Sequence, residues 1–133
     1  MLNQSGIVKT NLVNIRQILG NEHYIAVSAI IDNTAKNSDG MCLAGTPITG
    51  DLLKRAGGAD AFTKATTTGG SGSETNPAKF VLLHDVVFDG TNDANATILI
   101  HGVIQKNKCD SSVQTLLDSH AVKALAANGI YVI

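Results

Sequence analysis

From Phe80 to Ile133 the chain alternates short apolar blocks with polar turns, and that rhythm leaves few folds open. FVLLHDVVF and ATILIHGVI are short and rich in aliphatic and β-branched residues, as strands are. Between them runs Asp89-Gly90-Thr91-Asn92-Asp93-Ala94-Asn95, a sequence of turn formers. The pattern predicts an antiparallel hairpin over Phe80–Phe88 and Ala96–Ile104. Strand alternation puts Phe80, Leu82, His84, Val86 and Phe88 on one face of the first strand, and Ile98, Ile100, Gly102 and Ile104 on one face of the second. Beyond it, Val113, Leu116, Leu117, His120 or Ala121, Ala124 and Leu125 recur at helical spacing. Ser111 or Ser112 can cap that helix, and Gly129 stands where a left-handed C-cap belongs. Ile130–Ile133 then reads as a final strand, too apolar to be left unpaired in water.

The first part of the chain is less regular. Residues 1 to 20 carry weak apolar alternation through Ile7, Leu12, Val13, Ile15, Ile18 and Leu19, and neither the helical nor the strand period wins. The segment reads either as an arm that orders against a partner or as an edge strand of the domain's own sheet. His23–Ile31 is a strand by composition, closed by the polar run from Asp32 to Gly40. Met41–Ile48 looks extended, with a corner at Gly45-Thr46-Pro47 that keeps Pro47 out of the middle of a sheet. Asp51 caps a short helical turn that stops at Gly57-Gly58. Thr66–Lys79 (TTTGGSGSETNPAK) has too little apolar surface to offset its ordering entropy. It reads as a mobile loop, or one that partners pin down.

At 133 residues the chain makes one domain, long enough to bury about two-thirds of its unfolded surface. Net charge is −1 and no basic stripe is present, which argues against binding nucleic acid through phosphates. The absence of Trp and the scarcity of aromatics argue against a base-stacking platform. Charged residues make up only 16%, a low share that fits a surface partly covered by a partner. The first ten residues hold no apolar core of a secretory leader. The longest apolar run, Tyr24–Ile31, is too short to span a bilayer, so a soluble chain without a membrane partner is expected.

Catalytic and ligand-binding signatures are weak. His84 and His101 would face each other if the hairpin turned near Asn92-Asp93, and Asp85 lies beside them, which sketches a metal site. His84 and Asp85 are adjacent in a strand, however, and point to opposite faces, while zinc needs three or four convergent ligands. Structural histidines are the better reading. The Asp89–Asn95 turn spaces its oxygens as a calcium loop does, but Ala94 replaces the loop glycine and Ile100 the bidentate carboxylate. Gly69–Ser73 is no nucleophile elbow, and no phosphate-binding or dinucleotide-binding glycine motif occurs. Asn95-Ala96-Thr97 fits a glycosylation sequon that only a secreted eukaryotic chain would use. Cys42 and Cys109 form no CxxC and read as buried reduced thiols, with a disulfide between them as the alternative that sequence does not decide. No cofactor and no enzymatic activity are expected.

Four stretches in order carry a resemblance: Ala44-Gly45-Thr46-Pro47, Val81–Val86 (VLLHDV), Ala96–Ile104 (ATILIHGVI) and Ala124–Val132 (ALAANGIYV). Together they resemble the lambda-type head decoration proteins of tailed phages, over roughly residues 41 to 133; head-fibre anchoring proteins share a similar closing segment. The resemblance implies a non-enzymatic homotrimer on the outer surface of the virion head. There it would bind the major capsid protein and cement the shell. It also implies an amino-terminal arm that adds a strand to the shell. By position alone, Ile7, Leu12, Val13, Ile15 and Ile18 would be its capsid-binding residues. Two other functions stay open: a head-fibre or receptor-anchoring adaptor bound to the capsid, and a small hydrolase or metal-binding module using His84, Asp85 and His101.

The expected fold is α+β and mainly β. It is a small antiparallel sheet or barrel-like domain over residues 21–133, with one C-terminal helix and an extended arm over residues 1–20.

Overall fold

A computed structural model of the chain describes residues 17–56 and 60–133. Eight strands are present among them: β1 (Ile25–Ile31), β2 (Met41–Cys42), β3 (Pro47–Thr49), β4 (Thr63–Lys64), β5 (Phe80–Leu82), β6 (Val86–Val87), β7 (Ala94–Ile104) and β8 (Ile130–Val132). Two short helices, α1 (Ser111–Leu116) and α2 (Ser119–Ala127), separate β7 from β8. The fold is α+β and mainly antiparallel β, with its helices gathered near the carboxy-terminal end.

The long strand β7 organises the sheet. β1 and β5 pair with it antiparallel on its two edges, and the order continues β5-β3-β4. Phe62, just before β4, then bridges back to Ile31 of β1: its N–H donates to Ile30 O at 2.8 Å, and its carbonyl accepts from Asp32 N at 2.7 Å. The sheet therefore closes on itself at this end, which removes the free edges a small sheet would otherwise expose. Ile31, Ile48, Phe62, Phe80, Leu82 and Ile98 fill the barrel interior. A second core lies outside the barrel wall. There Val81, Leu99 and Ile104 meet Val113, Leu117 and Leu125 of the helical segment. Each fully buried aliphatic side chain contributes about 1.5–3 kcal/mol, so the two layers together make the fold's main stabilising term.

Several expectations hold. β5 and β7 pair antiparallel, Asp51 accepts from Leu53 N at the head of a 3-10 turn over Leu52–Lys54, and Gly129 has φ +87° after α2. β8 re-enters the sheet parallel to β7, with Ile130 buried. The stop at Gly57-Gly58 lies outside the described residues.

Others are corrected. Phe80–Phe88 is not one strand: it breaks at Leu83-His84-Asp85, and β6 leaves to pair with β2. The break follows from Asp85, whose carboxylate accepts from Ala44 N at 2.8 Å and so binds the β2–β3 corner instead of continuing a ladder. The face assigned to Ile98, Ile100, Gly102 and Ile104 is also split. The β1–β7 register slips between Ile25 and Ala26, which pair with His101 and Leu99, so Ile100 is a bulge residue. Beyond it the alternation is reversed, and Ile104 joins the outer core while Ile98 stays in the barrel.

Pro47 sits in β3, between β4 and β5. It is the first residue of the strand, and the bonds to β5 come from its neighbours: Leu82 N donates to Thr46 O, and Lys79 N to Ile48 O. The single expected helix is two, because Asp118 interrupts it. Asp110, not Ser111 or Ser112, caps α1, and Asp118 caps α2.

The Thr66–Lys79 loop is held by its own chain. Thr68 and Thr75 exchange backbone hydrogen bonds at 2.9 and 2.8 Å. Asn76 Nδ2 donates to Thr67 Oγ1, which donates in turn to Asp118. Polar side chains replace the apolar anchoring that the composition lacks.

Candidate functional site

Of the residues assigned to shell binding, Ile7, Leu12, Val13 and Ile15 lie outside the described residues. Ile18 lies inside them, and not as part of a free arm. Its side chain is fully buried in the outer core, its carbonyl accepts from Gln105 N at 2.7 Å, and Leu19 bridges Ile104 antiparallel. Gly20 N donates to Val103 O, also at 2.7 Å. Residues 18–20 are thus an edge segment of the domain's sheet, and the domain begins before the expected boundary at residue 20. A buried isoleucine is not available to a partner.

Where residues 18–20 and β8 flank the lower half of β7, no strand among the described residues lies opposite the barrel wall. The face that lines the barrel interior above the bulge continues downward and opens to solvent. Ile25 pairs with His101, and Val103 with Tyr131. The His23 ring meets the His101 ring edge-on at 5.9 Å. Ile133 completes the row, close enough to Gly20 that a Cβ there would lie 3.3 Å from Ile133 Cδ1 and 2.8 Å from Val103 Cγ1. Ile25 is 52% exposed, Tyr131 51% and Ile133 69%. The reverse face of the same strands is packed on the helices through Ile104 and Ile130. One side of this half-sheet is therefore core, and the other is an open apolar face carrying two imidazoles.

On the reverse side, a groove of about 580 Å³ runs along the amino-terminal edge, lined by Gln17, Leu19, Tyr24, Leu83 and His84. His84 is exposed there. The β5–β7 register pairs Val81 with Leu99 and Leu82 with Ile98, so the turn is centred near Gly90 and His84 does not face His101. Asp85 is engaged with the β2–β3 corner. Among the described residues no three His, Cys, Asp or Glu side chains converge as metal ligands. Neither cysteine is in a disulfide and both are buried, and burial pushes the Cys42 thiol above its ordinary value. The carboxylates of Asp32, Asp89 and Asp118 are all held below the ordinary range. The first cause in each is a hydrogen bond from a neighbouring side chain, Thr34, Asn92 and Thr67 respectively. All three have structural roles. Asp32 and Asp118 cap helical turns, and Asp89 holds the turn before β7. No helix among the described residues is long and apolar enough to cross a membrane.

No protein-family model matches this chain, and no curated protein is significantly similar to it.

The open face was missed in the sequence, although a signal for it exists. Ile130-Tyr131-Val132-Ile133 is apolar on both faces of a strand. A strand with one solvent face alternates, so an unbroken apolar run asks for cover on both sides.

Proposed function

We propose that this chain is a capsid decoration protein. It binds the outer surface of a phage head as a homotrimer, contacts the major capsid protein and stabilises the shell. The sequence resemblance over residues 41–133 supplies the identity of the partner. The observation that carries the reading physically is the path of residues 18–20. They run as an antiparallel edge along β7, with Ile18 O accepting from Gln105 N and Leu19 bridging Ile104, at the margin of an open apolar face. An edge segment of this kind is suited to pairing with a strand of another protein, where main-chain hydrogen bonds give affinity. Weak contacts of this kind sum across three copies on a lattice. The low charge of the sequence is consistent with extensive burial against neighbours.

In this reading the shell contacts fall to Ile7, Leu12, Val13 and Ile15, and Ile18 serves as the buried anchor of the arm. The experiment is direct. The purified chain is sized by native mass, then mixed with expanded empty heads and sedimented. Three copies per particle in solution and saturable co-sedimentation are expected. A monomer that stays in the supernatant at all head concentrations would sink the reading.

A further inference from the structure

We propose that the pocket where the Asn33–Ala35 turn, β2, β4 and α1 meet binds a carboxylate carried on a short apolar stem. The pocket holds about 220 Å³. That is below the range of about 300–1,000 Å³ that drug-sized ligands and cofactors occupy, so its ligand is small. Ala35, Met41, Leu43, Val113 and Leu116 give it apolar walls. Walls of this kind favour a hydrocarbon stem over a hydrated inorganic ion. The inference does not rest on the decoration reading.

Lys64 supplies the charge. It lines the pocket, is half-buried, and forms no ion pair among the described residues. Its charge is felt inside: burial raises the Cys42 thiol, and the Thr46 hydroxyl and then the Lys64 ammonium act against that rise. Cys42 lines the same pocket and is 2% exposed, so the ammonium lies on the pocket side of β4. No Asp or Glu is among the described residues that line the pocket. Asp85 acts on Cys42 in the opposite sense, and its Oδ1 is engaged by Ala44 N. Asn37 adds a donor to the lining. Its Oδ1 accepts from Asp39 N and Met41 N at 2.9 and 3.0 Å, which fixes the amide and leaves Nδ2 without an acceptor among the described residues. A partly desolvated cation is costly to leave unpaired, and a carboxylate answers it and the amide with charge-assisted hydrogen bonds. One ammonium and one amide suit a single carboxylate. A phosphate brings more charge and more acceptor oxygens than this lining answers.

The test titrates the full chain with sodium butyrate and follows the nuclear magnetic resonance signals of Ala35, Val113 and Leu116. Saturable shifts confined to the pocket are expected, with a millimolar dissociation constant for so few atoms. Sodium chloride at matched ionic strength should not reproduce them. Butan-1-ol, which keeps the stem and loses the charge, should bind at least about ten-fold more weakly. Lys64→Met should weaken butyrate by a similar factor, and Lys64→Arg should retain it. N-acetylglutamate N-methylamide presents the same carboxylate as a protein side chain does, so whichever of the two acids binds identifies the source as a free acid or a partner's glutamate. Saturable shifts with neither acid, equal affinity for the alcohol, or undiminished affinity in a folded Lys64→Met would overturn the proposal. Acid and alcohol are compared on the parent chain, so that comparison decides even if Lys64→Met fails to fold. No head particle enters the titration, so failure here leaves co-sedimentation unaffected, and the reverse.

Discussion

The Thr67 hydroxyl donates to Asp118 Oδ2 at 2.6 Å, tying the glycine-rich loop to the head of α2. The other oxygen, Oδ1, accepts from Ala121 N at 2.9 Å, so one carboxylate serves both as helix cap and as loop anchor. Asp118→Ala removes both bonds and should cost about 1–2 kcal/mol, at the upper end of cap losses. Thr67→Val should cost less, because the cap survives. Urea unfolding of the two variants checks the order, and equal losses would mean that the loop contact carries the whole effect.

The same carboxylate predicts an acid limit. Asp118 is held below the ordinary carboxylate value by the Thr67 hydroxyl, then by the Ala121 amide, and Asp32 is shifted the same way by Thr34. A lowered value in the folded state means that the unfolded chain binds the proton more readily. The stabilisation is complete above the unfolded value of about 3.9 and is lost as pH falls through the lower folded value. Urea midpoints should therefore be flat near neutrality and fall below about pH 4. Asp118→Asn should flatten that fall. A variant with the parent's pH slope would remove Asp118 from the explanation.

Gly102 makes a third prediction. Its φ is +151°, and a Cβ there would lie 3.1 Å from Tyr24 Cβ and 3.4 Å from Leu99 Cδ1. It follows directly on the Ile100–His101 bulge, where the sheet changes which face is core. A β-branched residue tolerates neither the backbone angle nor the contact, so Gly102→Val should destabilise by about 1–3 kcal/mol. Replacing Tyr24 by Gly in the same chain removes that Cβ but not the dihedral, so only partial recovery is expected. Full recovery would show that crowding alone fixes this glycine.

How far the sequence could be read follows from where local chemistry decides the structure. β1, β8, the 3-10 turn after Asp51 and the Gly129 cap are set by composition and cap chemistry within a few residues, and these were legible. The break after Leu82 was not, because its cause is the bond from Ala44 N to Asp85, forty-one positions apart. The bulge at Ile100 was not, because an unbroken aliphatic run looks the same whether or not its faces switch. Ile18 and Leu19 were divided between arm and edge strand for lack of a period, and pairing with β7 decides for the edge. The open face was signalled only by the unbroken apolar run Ile130–Ile133, and its position follows from the barrel's partial closure, which that run does not encode.

His84 and His101 separate an adhesive protein from a metal-dependent one. The register keeps them apart, and Asp85 is bonded to the β2–β3 corner. Replacing both histidines with Gln should shift the melting temperature by less than about 4 °C, the effect of under 1 kcal/mol in a domain of this size. Added zinc should leave the parent's melting temperature unchanged, since ligand that binds only the folded state would raise it. A zinc-dependent rise in the parent that the double variant lacks would restore the metal reading.

The thiols close the case for a structural interior. Cys42 and Cys109 are 2% and 4% exposed, and a Cβ at Gly45 would sit 2.6 Å from Cys109 Sγ, so the β2–β3 corner packs directly on that sulfur. Burial raises the Cys42 thiol, and the thiolate is the reactive species, so both exposure and ionisation work against modification. An aromatic disulfide reagent at neutral pH should therefore titrate neither cysteine in the folded protein and both in urea. The native rate should follow the opening of the domain, and so should accelerate in Gly102→Val about ten-fold for each 1.4 kcal/mol of lost stability. Rapid labelling of one thiol in the intact protein would mean that the corner at Gly45-Thr46-Pro47 opens independently of the barrel.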